Sequence, residues 1–79
     1  MTEQEIFEKL KEVLKQIKPR MDTGAVTMDS SLTTDLGMDS LAMLLISFAC
    51  EDKFKIRFEP KVQFRTVKDV VEYISKEHD

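Results

Sequence analysis

The stretch Asp35-Leu36-Gly37-Met38-Asp39-Ser40-Leu41 leads from a polar segment of the chain into an apolar one. Asp39 is a residue of the N-cap type, because its carboxylate can accept hydrogen bonds from the free amides of a first helical turn. Residues 41–48 contain a single polar side chain, Ser47. The sequence therefore predicts a helix that begins at Asp39 and is apolar on nearly every side.

An apolar helix of this kind is either fully buried or presents an apolar surface to a partner. We expect Leu41, Leu44 and Phe48 to lie in the core, whereas Met43 and Leu45 fit either place. The helix then returns to water at the charged residues Glu51, Asp52 and Lys53.

Ser40 falls in the first turn of the predicted helix, beside backbone amides that favour a phosphate anion. Gly37 allows the tight backbone turn that precedes it. Two interpretations stay open on these residues alone: a phosphoester site at Ser40, or an ordinary helix start formed by Asp39 and Ser40.

The segment upstream, residues 20–38, lacks helical periodicity and is rich in turn-forming residues. Residues 21–40 contain four acidic residues and no Lys or Arg. So long a connection within a small domain is more often functional than idle. The apolar side chains that could pin this loop to the core are Val26, Met28, Leu32, Leu36 and Met38.

A first helix precedes the loop, because apolar residues recur at spacings of three and four from Thr2 to about Lys18. Thr2 and Glu5 form a capping box at its start, and Pro19 ends it. The inward residues are Ile6, Leu10, Val13, Leu14 and Ile17.

The last helix begins at Thr66, is completed as a capping box by Asp69, and continues to about Lys76. Its inward residues are Val67, Val70, Val71 and Ile74.

The connection between the second helix and the last is ambiguous in the sequence. Phe54, Ile56 and Phe58 alternate like a strand, but one lone strand cannot satisfy its backbone hydrogen bonds. We expect an extended linker and then a short helical turn that is opened by Pro60. Its anchors are Val62 and Phe64.

Length and composition exclude several classes of protein. The chain has 79 residues, which fits one domain over residues 1–79, and its net charge of −3 argues against a general nucleic-acid binder. The single cysteine, Cys50, rules out a disulfide framework and a zinc site of paired cysteines, and we expect no metal site. Without an apolar run of about 20 residues or a basic leader at the start of the chain, we expect a cytoplasmic protein.

The stretch from Asp35 to Leu41 resembles the phosphopantetheine attachment motif of acyl carrier proteins, commonly written as Asp-Ser-Leu preceded by Leu-Gly. The resemblance covers nearly the whole chain, from the first helix and the long loop to the second helix closing on Glu51-Asp52-Lys53-Phe54 and the last helix. It implies an all-α fold: a four-helix bundle with a long loop between helices 1 and 2 and a short third helix.

This resemblance also implies a function. Ser40 would carry 4′-phosphopantetheine from coenzyme A as a phosphodiester, and the terminal thiol of the arm would carry acyl groups as thioesters. Asp39 and Leu41 belong to the same motif, and Asp39 would help to place magnesium and phosphate during loading. The implied partners are a phosphopantetheinyl transferase and the acyl-loading, condensing or acyl-transfer enzymes of fatty acid, polyketide or other lipid biosynthesis. The protein is then a carrier and not an enzyme, and the family is mostly monomeric.

The sequence departs from the family in its second helix. Many fatty-acid carriers have acidic residues there, whereas this chain has Ala42 and Leu45 at the corresponding places. We therefore expect a specialised rather than a housekeeping carrier, which docks through apolar contacts inside a charged rim. The expected docking residues are Asp35, Met38, Ala42, Met43, Leu45, Ile46, Glu51 and Asp52.

Two hypotheses from other functional classes stand beside the carrier. One is a small helical interaction module that never receives the arm. The other is an enzyme with Ser40 or Cys50 as nucleophile, which would need a base and an orienting group. His78 lies next to the C-terminus, and Cys50 is more simply a buried inert thiol, so we expect no catalytic residue.

Overall fold

The computed structural model of the protein describes residues 2–58 and 64–78. These residues form three α-helices, α1 (Glu3–Ile17), α2 (Ser40–Phe54) and α3 (Val67–His78), with a short 3₁₀ turn at Thr23–Ala25. The described residues contain no strand, only one isolated bridge, so the all-α prediction is confirmed. The predicted helical turn at Pro60 and its anchor Val62 lie outside the described residues.

Helix α1 begins and ends where the sequence predicts. Thr2 is the N-cap: its hydroxyl accepts a hydrogen bond from the Glu5 amide at 3.1 Å, and the Glu5 carboxylate accepts one from the Thr2 amide at 3.4 Å. The last turn closes before Pro19, where the Lys18 amide donates to the Leu14 carbonyl oxygen. Helix α1 packs against both α2 and α3. Its buried residues are Ile6, Leu10, Val13 and Leu14.

Helix α2 buries one residue in every four. The buried positions are Ala42, Ile46, Cys50 and Phe54. The expectation that Leu41, Leu44 and Phe48 are core residues is wrong, because all three are exposed. A helix that is apolar on all sides has no amphipathic pattern from which the inward side can be recognised.

The long loop between α1 and α2 is fastened to the start of α3. The Leu32 amide donates to the Arg65 carbonyl oxygen at 2.9 Å, and the amides of Val67 and Lys68 donate to the carbonyl oxygens of Ser30 and Met28. The apolar anchors of the loop act as expected, since Val26, Leu32 and Met38 are buried and Met28 and Leu36 pack against the core. The loop is therefore a structured part of the domain.

Helix α3 has the predicted cap and the predicted inward side. The Asp69 carboxylate accepts hydrogen bonds from the amides of Thr66 and Arg65 at 3.2 and 3.0 Å, and the Asp69 amide donates to the Thr66 hydroxyl at 3.3 Å. The helix continues to His78, slightly beyond the expected end near Lys76. The residues buried are Val67, Val70, Val71 and Ile74.

An aromatic cluster connects α3 with the segment that follows α2. The ring of Phe58 stacks on that of Tyr73 with centroids 5.0 Å apart, and Phe64 meets both rings edge to face at 5.4 Å. The Tyr73 hydroxyl donates to the Arg57 carbonyl oxygen at 3.0 Å. Phe64 therefore anchors its segment as predicted.

Replacing Asp69 with Ala is expected to lower the free energy of unfolding by about 1–2 kcal/mol, because the helix loses its cap and two amides lose their acceptor. Urea unfolding measures this change. The matched control is Glu72→Ala, which removes a carboxylate from the exposed side of the same helix and a weak ion pair of 3.9 Å to Lys68. Equal losses in the two variants would contradict the capping role.

Candidate functional site

The turn before α2 has a fixed backbone conformation. Gly37 has φ of 65°, in the left-handed region that side-chain-bearing residues rarely adopt. The Leu36 amide donates to the Ser31 carbonyl oxygen at 3.0 Å, and the Met38 amide donates to that of Leu32 at 2.9 Å. Met38 is buried. These hydrogen bonds and the burial of Met38 therefore fix the backbone that leads into the first residue of α2.

Asp39 is the N-cap of α2, as predicted. Its Oδ1 accepts a hydrogen bond from the Ala42 amide at 2.8 Å, and its carbonyl oxygen accepts one from the Met43 amide at 2.9 Å. The other carboxylate oxygen, Oδ2, makes no hydrogen bond with the described residues. Asp39 therefore both starts the helix and keeps one charged oxygen available on the surface.

Ser40 is the first residue of α2 and is exposed. Its hydroxyl makes no hydrogen bond with the described residues, and the amides of Ser40 and Leu41 have no acceptor among them. Free amides at a helix start attract anions. A Cβ placed on Gly37 would meet nothing within 4 Å, so the space beside the turn is open. A phosphodiester on Ser40 would thus be exposed, would have free amides near it as hydrogen-bond donors, and would have open space beside the turn.

Comparison with known proteins identifies the family. A family model described as "Phosphopantetheine attachment site" matches residues 4–74. The chain belongs to this phosphopantetheine-binding family. The acyl carrier protein of Kineococcus radiotolerans is 40% identical over 77 residues, 95% of this chain and 94% of the relative. Those of the Aster yellows witches'-broom phytoplasma and of Clostridium perfringens are each 37% identical over 73 residues, 90% of this chain and 95% of the relative.

The family decides between the functional classes that the sequence left open. The protein is an acyl carrier with a covalent 4′-phosphopantetheine group, and its partners are acyl chains and the enzymes that handle them. Such carriers are not enzymes, so the hypothesis of a nucleophilic enzyme is set aside. Among the described helices, none is long and apolar enough to cross a bilayer. The described ranges contain no cluster of three or more His, Cys, Asp or Glu side chains that could hold a metal ion.

The expected docking residues fall into two groups in the structure. Met38, Ala42 and Ile46 are buried in the hydrophobic core, which argues against the predicted contact of their side chains with partners. The other residues expected there are at least partly exposed: Asp35, Met43, Leu45, Glu51 and Asp52. One carboxylate oxygen of Glu51 is already used within the domain, because Oε2 accepts a hydrogen bond from the Phe58 amide at 2.9 Å.

The structure reveals an apolar surface on α2 that includes Leu41, Leu44 and Phe48, the three residues that the sequence analysis placed in the core. Its residues recur at spacings of three and four and occupy one side of the helix. We call this the α2 apolar face; its residues and exposed fractions are Leu41 64%, Leu44 50%, Leu45 45% and Phe48 58%. One signal could have found it. Phe54 is the only apolar residue in the last turn of α2, and counting back from it in steps of four gives the buried positions.

The α2 apolar face lies in a part of the chain whose charged residues are all acidic. From residue 21 to residue 52 the sequence has Asp and Glu but no Lys or Arg. Asp39 and Asp52, near the two ends of α2, are both exposed. A partner that covers this face therefore meets an apolar centre and negative charge at its ends.

Cys50 lies on the opposite side of α2 from the apolar face and is fully buried. Burial raises the pKa of its thiol to about 12, and the opposing effect of the nearby Lys53 charge is smaller. Since only the thiolate is nucleophilic, Cys50 is inert at physiological pH.

We expect Cys50 in the folded protein without its arm to resist a thiol reagent such as 5,5′-dithiobis(2-nitrobenzoate) at pH 8, because the thiol is both inaccessible and protonated. Absorbance at equilibrium should report no thiol in the native protein and one in denaturant. A Thr33→Cys variant, which adds a thiol at an exposed loop position, controls for reagent activity. Rapid reaction of native Cys50 would contradict its burial and raised pKa.

Proposed function

We propose that Ser40 is the residue to which the phosphopantetheine arm is attached. The observation that carries this proposal is the exposed, uncommitted Ser40 hydroxyl at the start of α2, within the segment that matches the family. When bound, the arm supplies a terminal thiol on which acyl groups are held as thioesters. The free amides of Ser40 and Leu41 favour the negative charge of the phosphodiester.

The proposed loading reaction uses coenzyme A, magnesium and a separate phosphopantetheinyl transferase. The Ser40 hydroxyl loses its proton and forms a bond to the phosphorus that carries pantetheine, while the bond from this phosphorus to the nucleotide half of coenzyme A breaks. Asp39 has one oxygen committed to the helix and one without a hydrogen bond. We assign the free oxygen to the magnesium ion, for which carboxylate oxygen is a preferred ligand.

A cytoplasmic location of the protein stays a prediction from the sequence.

We further propose that partner enzymes dock on the α2 apolar face. Apolar side chains exposed side by side commonly mark a surface that binds a partner. Typical interfaces have an apolar centre and a polar rim, and aromatic residues often dominate the binding energy. Leu45 stays in the docking set from the sequence, whereas Ala42 and Ile46 are replaced by Leu41, Leu44 and Phe48.

The chemistry of the partner follows from the charge of this region. Because residues 21–52 contain acidic but no basic side chains, a complementary enzyme surface has an apolar depression with Lys or Arg around it. Docking on this face fits the carrier better than an interaction module that never receives the arm. The exposed Ser40 stands at one end of the same helix, so an enzyme bound to the face has Ser40 close to it.

Incubation with coenzyme A, magnesium and a broad-specificity phosphopantetheinyl transferase is expected to add one phosphopantetheine to the protein, as read by intact-protein mass. The Ser40→Ala variant should gain nothing, because it lacks the attacking hydroxyl. Ser47→Ala, at the other serine of α2, is the matched control and should be loaded like the wild type. Loading of Ser40→Ala, or failure to load a folded wild-type protein, would overturn the assignment.

Phe48→Glu is expected to lower kcat/KM for loading by the transferase about tenfold or more, because it places a charge in the apolar centre of the interface. Thr33→Glu adds the same charge at an exposed position of the loop, outside α2, and should change the rate little. Circular dichroism checks that α2 is intact in both. The docking proposal fails if the two variants are loaded equally well.

A further inference from the structure

Charges of opposite sign are divided between two consecutive parts of the sequence. Residues 21–52 contain six acidic residues and no Lys or Arg, whereas residues 53–68 contain six Lys or Arg and a single acidic residue, Glu59. The formal charges of the two segments are therefore −6 and +5, although the whole chain has a net charge of only −3. A chain divided in this way can attract a second copy of itself.

The described part of the second segment forms a surface of aromatic rings and arginines. The rings of Phe58, Phe64 and Tyr73 contact one another, and all three residues are half-buried. Arg57 precedes Phe58, Arg65 follows Phe64, and both arginines are exposed. Because consecutive Cα atoms are about 3.8 Å apart, both arginine side chains begin at the edge of the rings. We call these five residues the arginine surface.

The guanidinium groups of the arginine surface have no partner among the described residues. Arg57 and Arg65 use only backbone groups within the domain: their carbonyl oxygens accept hydrogen bonds from the Tyr73 hydroxyl and the Leu32 amide. Arginine is well suited to carboxylates, because its fork can donate two parallel hydrogen bonds. The arginine surface therefore fits an acidic partner that also offers apolar side chains to the rings.

A second copy of this chain offers that chemistry on its α2 apolar face. The four apolar side chains of the face are exposed, and so are Asp39 and Asp52 near its two ends. The arginine surface supplies the aromatic and arginine residues that most often dominate binding at interfaces. The two surfaces share no residue, so each molecule carries both halves of the contact.

Pairing of two α2 apolar faces with each other is less favourable than contact between the unlike surfaces. An antiparallel pair would bring Asp39 of each copy toward Asp52 of the other, and a parallel pair would bring identical residues together. Like charges meet in both arrangements and repel. Only the contact with the arginine surface places cations opposite these carboxylates.

We propose that the α2 apolar face of one molecule packs on the arginine surface of a second copy. Because the two sides of this contact differ, every assembly keeps one free surface of each kind at its ends and can add further copies. Four side chains on one side and five on the other are fewer than the roughly 20–30 residues a side of a stable interface, so the association is weak and the dilute protein is monomeric. A partner enzyme that docks on the α2 apolar face must then displace the second copy.

Sedimentation of the protein without its arm tests the association directly. In about 10 mM salt, the weight-average mass should rise with concentration and pass twice the monomer mass without a plateau. Raising the salt to about 150 mM shortens the Debye length from about 30 Å to about 8 Å and should weaken the association at least threefold. A protein that stays monomeric at about 1 mM in low salt would overturn the proposal.

A pair of double variants tests whether the arginines form the contact. Arg57→Glu combined with Arg65→Glu should abolish self-association, because it reverses the charge of the arginine surface. The matched control combines Lys9→Glu with Arg20→Glu, which changes the net charge equally at cations outside that surface. This control should associate at least fivefold more tightly than the double arginine variant, and thermal unfolding checks that both are folded. Equal association of the two would refute the arginine surface.

Mixing two variants tests whether unlike surfaces meet. The double arginine variant keeps its α2 apolar face, and Phe48→Glu keeps its arginine surface, so each should be monomeric alone while their mixture forms a 1:1 complex. In the ¹⁵N-labelled double arginine variant, the amide resonances of Leu44 and Leu45 should shift on addition of unlabelled Phe48→Glu. Absence of these shifts, in a wild-type protein that associates, would assign the contact to two like surfaces and contradict the proposal. Loading of Ser40 enters none of these measurements, so the outcome is independent of the proposed attachment.

Discussion

The backbone hydrogen bonds of Leu32 hold together the parts of the domain that meet at the site. Its amide bonds to the Arg65 carbonyl oxygen, just before α3, and its carbonyl oxygen accepts from the Met38 amide, just before α2. The side chain of Leu32 is buried in the hydrophobic core. These two bonds connect the segment before α2 with the segment before α3, and α1 is the helix that packs on both α2 and α3. The long loop thus sets the place of Ser40.

Helix α2 divides stability and recognition between its two sides. One residue per turn, from Ala42 to Phe54, supplies the buried contacts that keep the helix on the domain. The α2 apolar face adds little to that burial, so its leucines and Phe48 are not explained by folding. Leaving them in water forgoes roughly 25 cal/mol for each Å² of apolar surface that a contact would cover. A partner that covers this face recovers that free energy, which is the physical basis for the proposed docking.

The local features of the fold could be predicted from the sequence, whereas its long-range features could not. Thr2, Pro19, Asp39 and Thr66 mark helix ends because capping and ring geometry act within a few residues. The pairing of Leu32 with Arg65 leaves no such trace, since backbone groups are alike at every position. The sequence does not show which side of α2 faces the core, because seven of the eight residues in 41–48 are apolar and no polar side stands out. Ser40 could be predicted as the candidate residue from its motif, whereas its exposure and the absence of a hydrogen bond to its hydroxyl could be seen only in the structure.

The protonated state of Cys50 has a consequence for the cargo. A thioester passes from one sulfur to another only when the receiving sulfur is a thiolate. With a pKa of about 12 in the core, Cys50 cannot accept an acyl group from the arm of its own molecule. Transfer of the acyl group from the arm to Cys50 is therefore prevented. Such a transfer would leave the acyl group on a buried sulfur that no enzyme can reach. The only sulfur able to exchange its acyl group is the one that the arm carries to the partner.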